Sequence, residues 1–134
     1  MREILFRGKR KDNGEWVEGD LIRHYENQRR FIACDQLAYK YTECGIDRLV
    51  TERFHEVIPE TVGQFTGLLD KNGKKIFEGD IVRNGNDLHK YVVEYVDEYW
   101  YAFLFTDIET GECFHLYEFD VLEAVGNIHD KEEA

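Results

Sequence analysis

One short unit occurs twice in this chain, at residues 6–23 and again at residues 65–83, and self-similarity of that kind restricts architecture more than any local propensity does. Phe6, Gly8, Asn13, Gly14, Glu18, Gly19, Asp20 and Arg23 recur as Phe65, Gly67, Asn72, Gly73, Glu78, Gly79, Asp80 and Arg83, at an offset of 59 that becomes 60 after the Asn-Gly pair. Eight of eighteen aligned positions are identical, where average residue usage would give about one. The apolar pairs Trp16/Ile76, Val17/Phe77, Leu21/Ile81 and Ile22/Val82 extend the match. Two copies are too few for a solenoid. They predict one supersecondary solution used twice.

Each copy reads as a β-hairpin. Asn13-Gly14 and Asn72-Gly73 are the dipeptides of a type I′ turn, whose positive φ at both residues matches the twist of a two-stranded ribbon. An apolar pair, Glu-Gly-Asp, a second apolar pair and Arg follow in both copies. The Gly is expected to bend or bulge the strand, and the Asp to accept backbone N–H bonds as the next strand begins.

Strand signals continue through the rest of the chain. Residues 30–34 are a short apolar run after the polar turn 26–28, and 83–87 form another turn. Tyr91, Val93 and Tyr95 alternate with Val92, Glu94 and Val96; Tyr99, Tyr101, Phe103 and Phe105 alternate with Trp100, Ala102 and Leu104, which predicts two strands, the second buried on at least one side. Apolar stretches follow at 114–119 and 121–128, and residues 118–124 have the pattern of one short helix. The single proline, Pro59, marks a seam between an N-terminal β lobe, residues 1–59, and a C-terminal lobe, residues 60–134, with a core that can run across it.

With 134 residues the chain can bury enough surface to fold without disulfide staples. Cys34, Cys44 and Cys113 are odd in number and lack metal-ligand spacing, so free buried thiols in a reducing compartment are expected. No apolar run approaches the roughly 20 residues of a membrane helix, and the N-terminus has no apolar leader; the expected location is the cytoplasm, away from membranes. A net charge of −11 argues against nucleic-acid binding, which needs a local cationic excess. Twelve of the 28 acidic residues but one of the 17 bases lie from Glu94 onward, so the first 93 residues balance at 16 of each sign. Arg2, Arg7, Lys9, Arg10 and Lys11 make the opposite end basic, an asymmetry suited to docking between the chain's ends or between subunits.

Taken together, Phe6-Arg7-Gly8-Lys9-Arg10, Trp16-Val17-Glu18-Gly19-Asp20, Phe65-Thr66-Gly67, Asp70-Lys71-Asn72-Gly73, Ile76-Phe77-Glu78-Gly79-Asp80-Ile81-Val82 and Val125-Gly126-Asn127-Ile128 make the chain resemble the YopX family of phage and prophage proteins. The resemblance implies a mainly β protein of phage origin with little helix, a barrel-like C-terminal part beside the N-terminal hairpin lobe, and self-association. It carries over no catalytic residues. Residues 24–56 match no family motif.

Several residues carry possible chemistry. Glu18 with Asp20, and Glu78 with Asp80, are carboxylate pairs that can bind a divalent cation or share acid and base work; turn chemistry recurring because both copies solve the same bend accounts for them much better. His24, His55, His89, His115 and His129 are scattered, and only Cys113 and His115 bring two soft ligands together, short of the four ligands, or three and water, that zinc takes. The aromatic group from Tyr91 to Phe105 can stack on a ligand, but Glu94, Asp97, Glu98 and Asp107 around it favour a core or a protein interface over RNA. No phosphate-binding glycine loop is present. The expectation is therefore a non-enzymatic, self-associating protein that binds a host or phage protein, with no catalytic, cofactor-binding or metal-binding residue assigned. A small metal-dependent enzyme using the Glu-Gly-Asp carboxylates and an acidic decoy that mimics DNA stand as alternatives.

Overall fold

The computed structural model describes residues 4–24, 27–34, 38–42, 45–50, 54–96, 102–119 and 121–130. The chain divides into two units, Ile4–Val62 and Gly63 onward, and both are built from antiparallel strands. Among the described residues there is no α-helix and no helix long and apolar enough to cross a membrane.

In the N-terminal unit, β1 (Phe6–Lys9) and β2 (Trp16–Arg23) form the first repeat hairpin, followed by β3 (Arg30–Ala33), β4 (Ala38–Thr42), β5 (Gly45–Val50) and β6 (Phe54–Val57). The strand order is β6-β3-β2-β1, while among the described residues β4 and β5 pair with each other alone. The sheet curls at one end. There Arg10 bridges to Val57, the Lys11 N–H donates to Glu56 O at 3.0 Å, and the Ile58 N–H donates to Lys9 O at 2.8 Å. Ile32, Ala33 and Val57 fill the interior of this unit.

The C-terminal unit begins with a second hairpin, β7 (Gly63–Leu69) and β8 (Lys75–Phe77). It continues with β9 (Asp80–Asn84), β10 (Tyr91–Val96), β11 (Ala102–Asp107), β12 (Cys113–His115) and β13 (Leu122–Asn127), which form a five-stranded sheet in the order β12-β11-β10-β9-β13. This sheet is open, not a closed barrel. Its inner face follows the period of two: Tyr91 and Val93 lie opposite Asp107 and Phe105, and they share a core with Ile76, Val82, Phe103 and Leu122. Aromatic rings dominate that core. Phe105 stacks on Phe119 with centroids 4.6 Å apart, and Tyr91 meets the same ring edge-on at 4.7 Å.

Several local expectations are revised. The two Asn-Gly pairs do not make two-residue type I′ turns. In the second copy the Asp70 N–H donates to Lys74 O at 2.8 Å and the Gly73 N–H to Asp70 O at 3.0 Å, which is a three-residue loop closed by a glycine at φ +80°. Asp70 selects it, because its Oδ1 accepts the N–H groups of Asn72 and Lys74, both at 2.9 Å. In the first copy the Arg10 N–H reaches Glu15 O at 2.9 Å, giving a four-residue loop. The expected helix at 118–124 is absent. A single 3₁₀ turn, Leu116–Glu118, closes when the Glu118 carboxylate accepts the His115 N–H at 2.6 Å, and Leu122 and Ala124 are already committed to pairing with Asn84 and Val82.

The Glu-Gly-Asp step also differs between copies. Gly79 does turn the chain, at φ +91°, whereas Gly19 lies inside the continuous strand β2. A Cβ on Gly19 would stand 2.0 Å from the carbonyl oxygen of Ala33. One glycine is required by its dihedral angle and the other by the close approach of β3.

Candidate protein-binding tip

Asp80 shows first what the repeated carboxylates do. It is buried, its Oδ2 accepts the Phe77 N–H at 2.8 Å, and its Oδ1 accepts from Asn127 Nδ2 at 3.0 Å. Both oxygens are thus engaged in joining β8 to β9 and β13. Asp20 and Glu18 are exposed on β2 instead, and Glu78 is half-buried, with burial pushing its carboxyl upward and Glu94 adding to the shift. The two pairs are not equivalent and do not repeat one site. Among the described residues no group of three or more His, Cys, Asp or Glu side chains is placed to hold a metal ion.

Of the other singled-out residues, Cys113 is exposed rather than buried, with its Sγ 3.5 Å from Thr106 Oγ1, and Cys34 is half-buried. Cys44, Arg2, Asp97, Glu98 and the 99–101 part of the aromatic group lie outside the described residues. Tyr91, Phe103 and Phe105 are core and Tyr95 is exposed. His24 is exposed, and His55, His115 and His129 are half-buried. The N-terminal bases are engaged within their own unit: Arg7 lies 4.4 Å and Lys9 5.3 Å from the Trp16 ring centre, Arg10 pairs with Asp12 at 2.5 Å, and Lys11 with Glu56 at 3.0 Å. Arg29 forks onto the same Glu56 at 2.9 and 3.2 Å, and with Lys11 it holds that carboxyl down to about 2. An open cleft of about 230 Å³ beside Arg10, Lys11, Asp12, His55 and Glu56 is therefore lined by charges that already neutralise one another.

Another arrangement stands at one end of the C-terminal sheet, where the 85–90 loop joins β9 to β10 and the 108–112 loop joins β11 to β12. Asp87, His89 and Tyr91 are gathered here by hydrogen bonds to Asp87. Tyr91 is buried and its hydroxyl donates to Asp87 Oδ2 at 2.6 Å. That bond, with burial added, pushes the phenol up to about 12, and Asp87 is held below the ordinary carboxylate range by the same hydroxyl and by the His89 N–H. Asp87 Oδ1 accepts that N–H at 2.9 Å.

Asp107 ties the neighbouring loop to this one. It is buried, its Oδ1 accepts the N–H groups of Glu109 at 2.9 Å and Thr110 at 3.3 Å, and its Oδ2 lies 2.8 Å from His89 Nδ1. Burial opposes its ionisation, but those donors outweigh it and lower its pKa. A carboxylate only accepts, so His89 Nδ1 carries the proton. The bond to Asp107 raises the histidine's pKa, reinforced by Glu109 and Asp87. The Ile108 N–H donates to Lys90 O at 3.1 Å, and on the other flank the Gly85 N–H donates to Val121 O at 2.7 Å.

The consequence lies in what this bonding leaves outside. Leu88 is 91% exposed, Ile108 52% and Val121 46%, each on a segment tied to the 85–90 loop. Three large aliphatic side chains are thus held out on hydrogen-bonded segments at this end of the sheet.

Comparison with known proteins places the whole chain. The family model described as YopX protein matches residues 5–133. The chain belongs to the YopX family. That match spans residues 24–56, where no motif is visible by inspection. This YopX protein is also similar in fold to a solved protein, the crystal structure of protein EF1440 from Enterococcus faecalis. The likeness has a TM-score of 0.54 and 23% identity over 96% of this chain and 95% of the other. No curated protein matches the chain in sequence.

Proposed function

We propose that this YopX protein is a non-enzymatic protein-binding module of phage origin, working in the cytoplasm of a bacterial host, that contacts partners through the tip formed by Leu88, Ile108 and Val121. The observation that carries the reading is the exposure of Leu88 on a loop fixed by the Tyr91–Asp87 and His89–Asp107 bonds. Self-association is part of the same reading, supported by further exposed apolar side chains on the C-terminal unit: Leu69 at 55%, Ile128 at 53% and Tyr95 at 43%. The metal-dependent alternative has less support, since the oxygens of Asp80 are occupied by Phe77 and Asn127. The acidic decoy does not account for the aliphatic side chains at the tip.

A photo-reactive residue at position 88, in place of Leu88, tests the reading inside the host cell. A discrete cross-linked adduct that disappears in a Val121→Asp background supports it. Sedimentation of the purified chain tests self-association, with a mass above 15.9 kDa expected. A monomer at high concentration with no adduct from position 88 refutes both parts.

A further inference from the structure

Three Asn-Gly pairs occur in the chain, at positions 13–14, 72–73 and 84–85. Asparagine before glycine carries its own chemistry, because no Cβ on the glycine obstructs attack by its nitrogen on the Asn side-chain carbonyl carbon. Hydroxide takes the glycine N–H proton, the nitrogen bonds to Cγ, and the Cγ–Nδ2 bond breaks, ammonia leaving with a proton returned from water. Water then opens the cyclic imide at either carbonyl, which gives Asp or an isomer whose main chain runs through the side chain. Nothing is oxidised or reduced, and water is the co-reactant. How readily each pair reacts depends on what holds its two reacting groups in place.

The three pairs are held differently. Gly14 donates its N–H to Arg10 O at 2.9 Å and Gly73 to Asp70 O at 3.0 Å, so the nitrogens of the two repeat loops are alike. The side-chain amides are not. Asn13 Oδ1 accepts the Glu15 N–H at 2.9 Å. Asn84 Oδ1 accepts the Val121 N–H at 3.4 Å while the Gly85 N–H donates to Val121 O at 2.7 Å, beside the pairing of Asn84 with Leu122. The Asn72 side-chain amide is exposed and makes no hydrogen bond among the described residues. Reaction at Asn72 thus breaks one hydrogen bond at the reacting groups, against two at Asn13 and two at Asn84. We propose that Asn72 is the site at which this chain deamidates spontaneously, and that conversion there loosens the β7–β8 loop from β13. The loop hangs on Asp70, whose Oδ1 accepts the N–H groups of Asn72 and Lys74 and whose Oδ2 accepts that of Ala124. The isomer lengthens the main chain between the first two of those donors and sets a new carboxylate near Asp70, where like charges repel.

Ageing of the purified full-length chain in warm, mildly alkaline buffer provides the test, with peptide mapping by mass spectrometry reading each asparagine at intervals. Asn72 should convert about two- to tenfold faster than Asn13 or Asn84, the factor that one additional hydrogen bond supplies. Asn72→Gln should melt as the wild type does, since no hydrogen bond of the side chain is lost, and should lose the fast phase of ammonia release because its ring closure is less favourable. Hydrogen exchange of the Ala124 amide should quicken in the aged wild type and stay unchanged in aged Asn72→Gln. No conversion at Asn72, conversion of Asn13 or Asn84 at an equal rate, or an undiminished fast phase in Asn72→Gln would overturn the site. Unchanged protection of Ala124 in the converted protein would overturn the loosening of the loop.

Discussion

Replacing Asp80 with Asn should destabilise the C-terminal unit sharply, whereas the same change at Asp20, its repeat counterpart, should be almost silent. At Asp80 an amide keeps one acceptor oxygen for the Phe77 N–H, which leaves its NH₂ facing Asn127 Nδ2, donor against donor. Rotating the Asn127 amide does not solve this, because Asn127 Oδ1 already accepts the His129 N–H at 2.8 Å. One hydrogen bond to a charged acceptor is lost and a buried donor is stranded, a cost of about 2–4 kcal/mol. Asp20 is exposed, so its substitution should stay within about 0.5 kcal/mol. Urea unfolding followed by circular dichroism measures both; with m near the usual range, D80N should lower the midpoint by about 1–3 M at unchanged slope. A D80N midpoint within error of wild type would refute the assignment of Asp80 as a structural tie, as would a D20N loss of the same size.

Other perturbations probe separate parts of the molecule. His89 should titrate above its ordinary 6.5, and Asp107→Asn should bring it back down, read by NMR. Since the folded pKa is the raised one, the stabilisation from this bond is fully present below about 6.5 and is lost as pH rises through the histidine's midpoint; hydrogen exchange of the Ile108 amide should quicken over that window. Glu56 is the opposite case. Its carboxyl titrates near 2 instead of 4.5, so its contribution is present above 4.5 and lost as pH falls toward 2, and Arg29→Gln should move the midpoint upward. Gly19→Ala should cost at least about 2–4 kcal/mol, because the new methyl meets the Ala33 backbone. Gly79→Ala should cost about 1–2 kcal/mol through its positive φ, and Gly79→Asn should recover part of that loss in thermal unfolding.

The repeat made the β architecture legible because strand period, turn residues and spacing all recur together. It misled about detail because identical letters satisfy different constraints. Gly79 meets a dihedral requirement and Gly19 a contact across strands, and only the first can be argued from a turn-like neighbourhood. The type I′ assignment failed for a related reason. Asp70, three residues before Gly73 and aligned with Lys11 in the first copy, brings a carboxylate that accepts two N–H groups inside the loop and the Ala124 N–H at 3.1 Å outside it. Burial works against that charge, but the three donors still lower its pKa. Nothing in the repeated letters encodes the longer loop. It is set by a residue that the two copies do not share.

The tip was harder to see, and for a more general reason. Asp-x-His-x-Tyr at 87–91 brings three polar groups together within five residues, which can be noticed in one dimension. That Asp107 completes the group follows only from the register that sets Tyr91 opposite Asp107, a pairing between positions sixteen residues apart. Asp107 and Tyr91 are drawn inward, while Leu88, Lys90 and Ile108 on the adjoining loops are exposed, and Ile108 follows a carboxylate that is only 5% exposed. Composition alone would assign leucine and isoleucine to the core and the aspartates to solvent. Here Asp107 is held inside because turn N–H groups and an imidazole satisfy it, while Leu88 and Ile108 stand exposed on the loops it ties together. A buried carboxylate that ties two loops together thus fixes where the exposed apolar side chains of those loops stand.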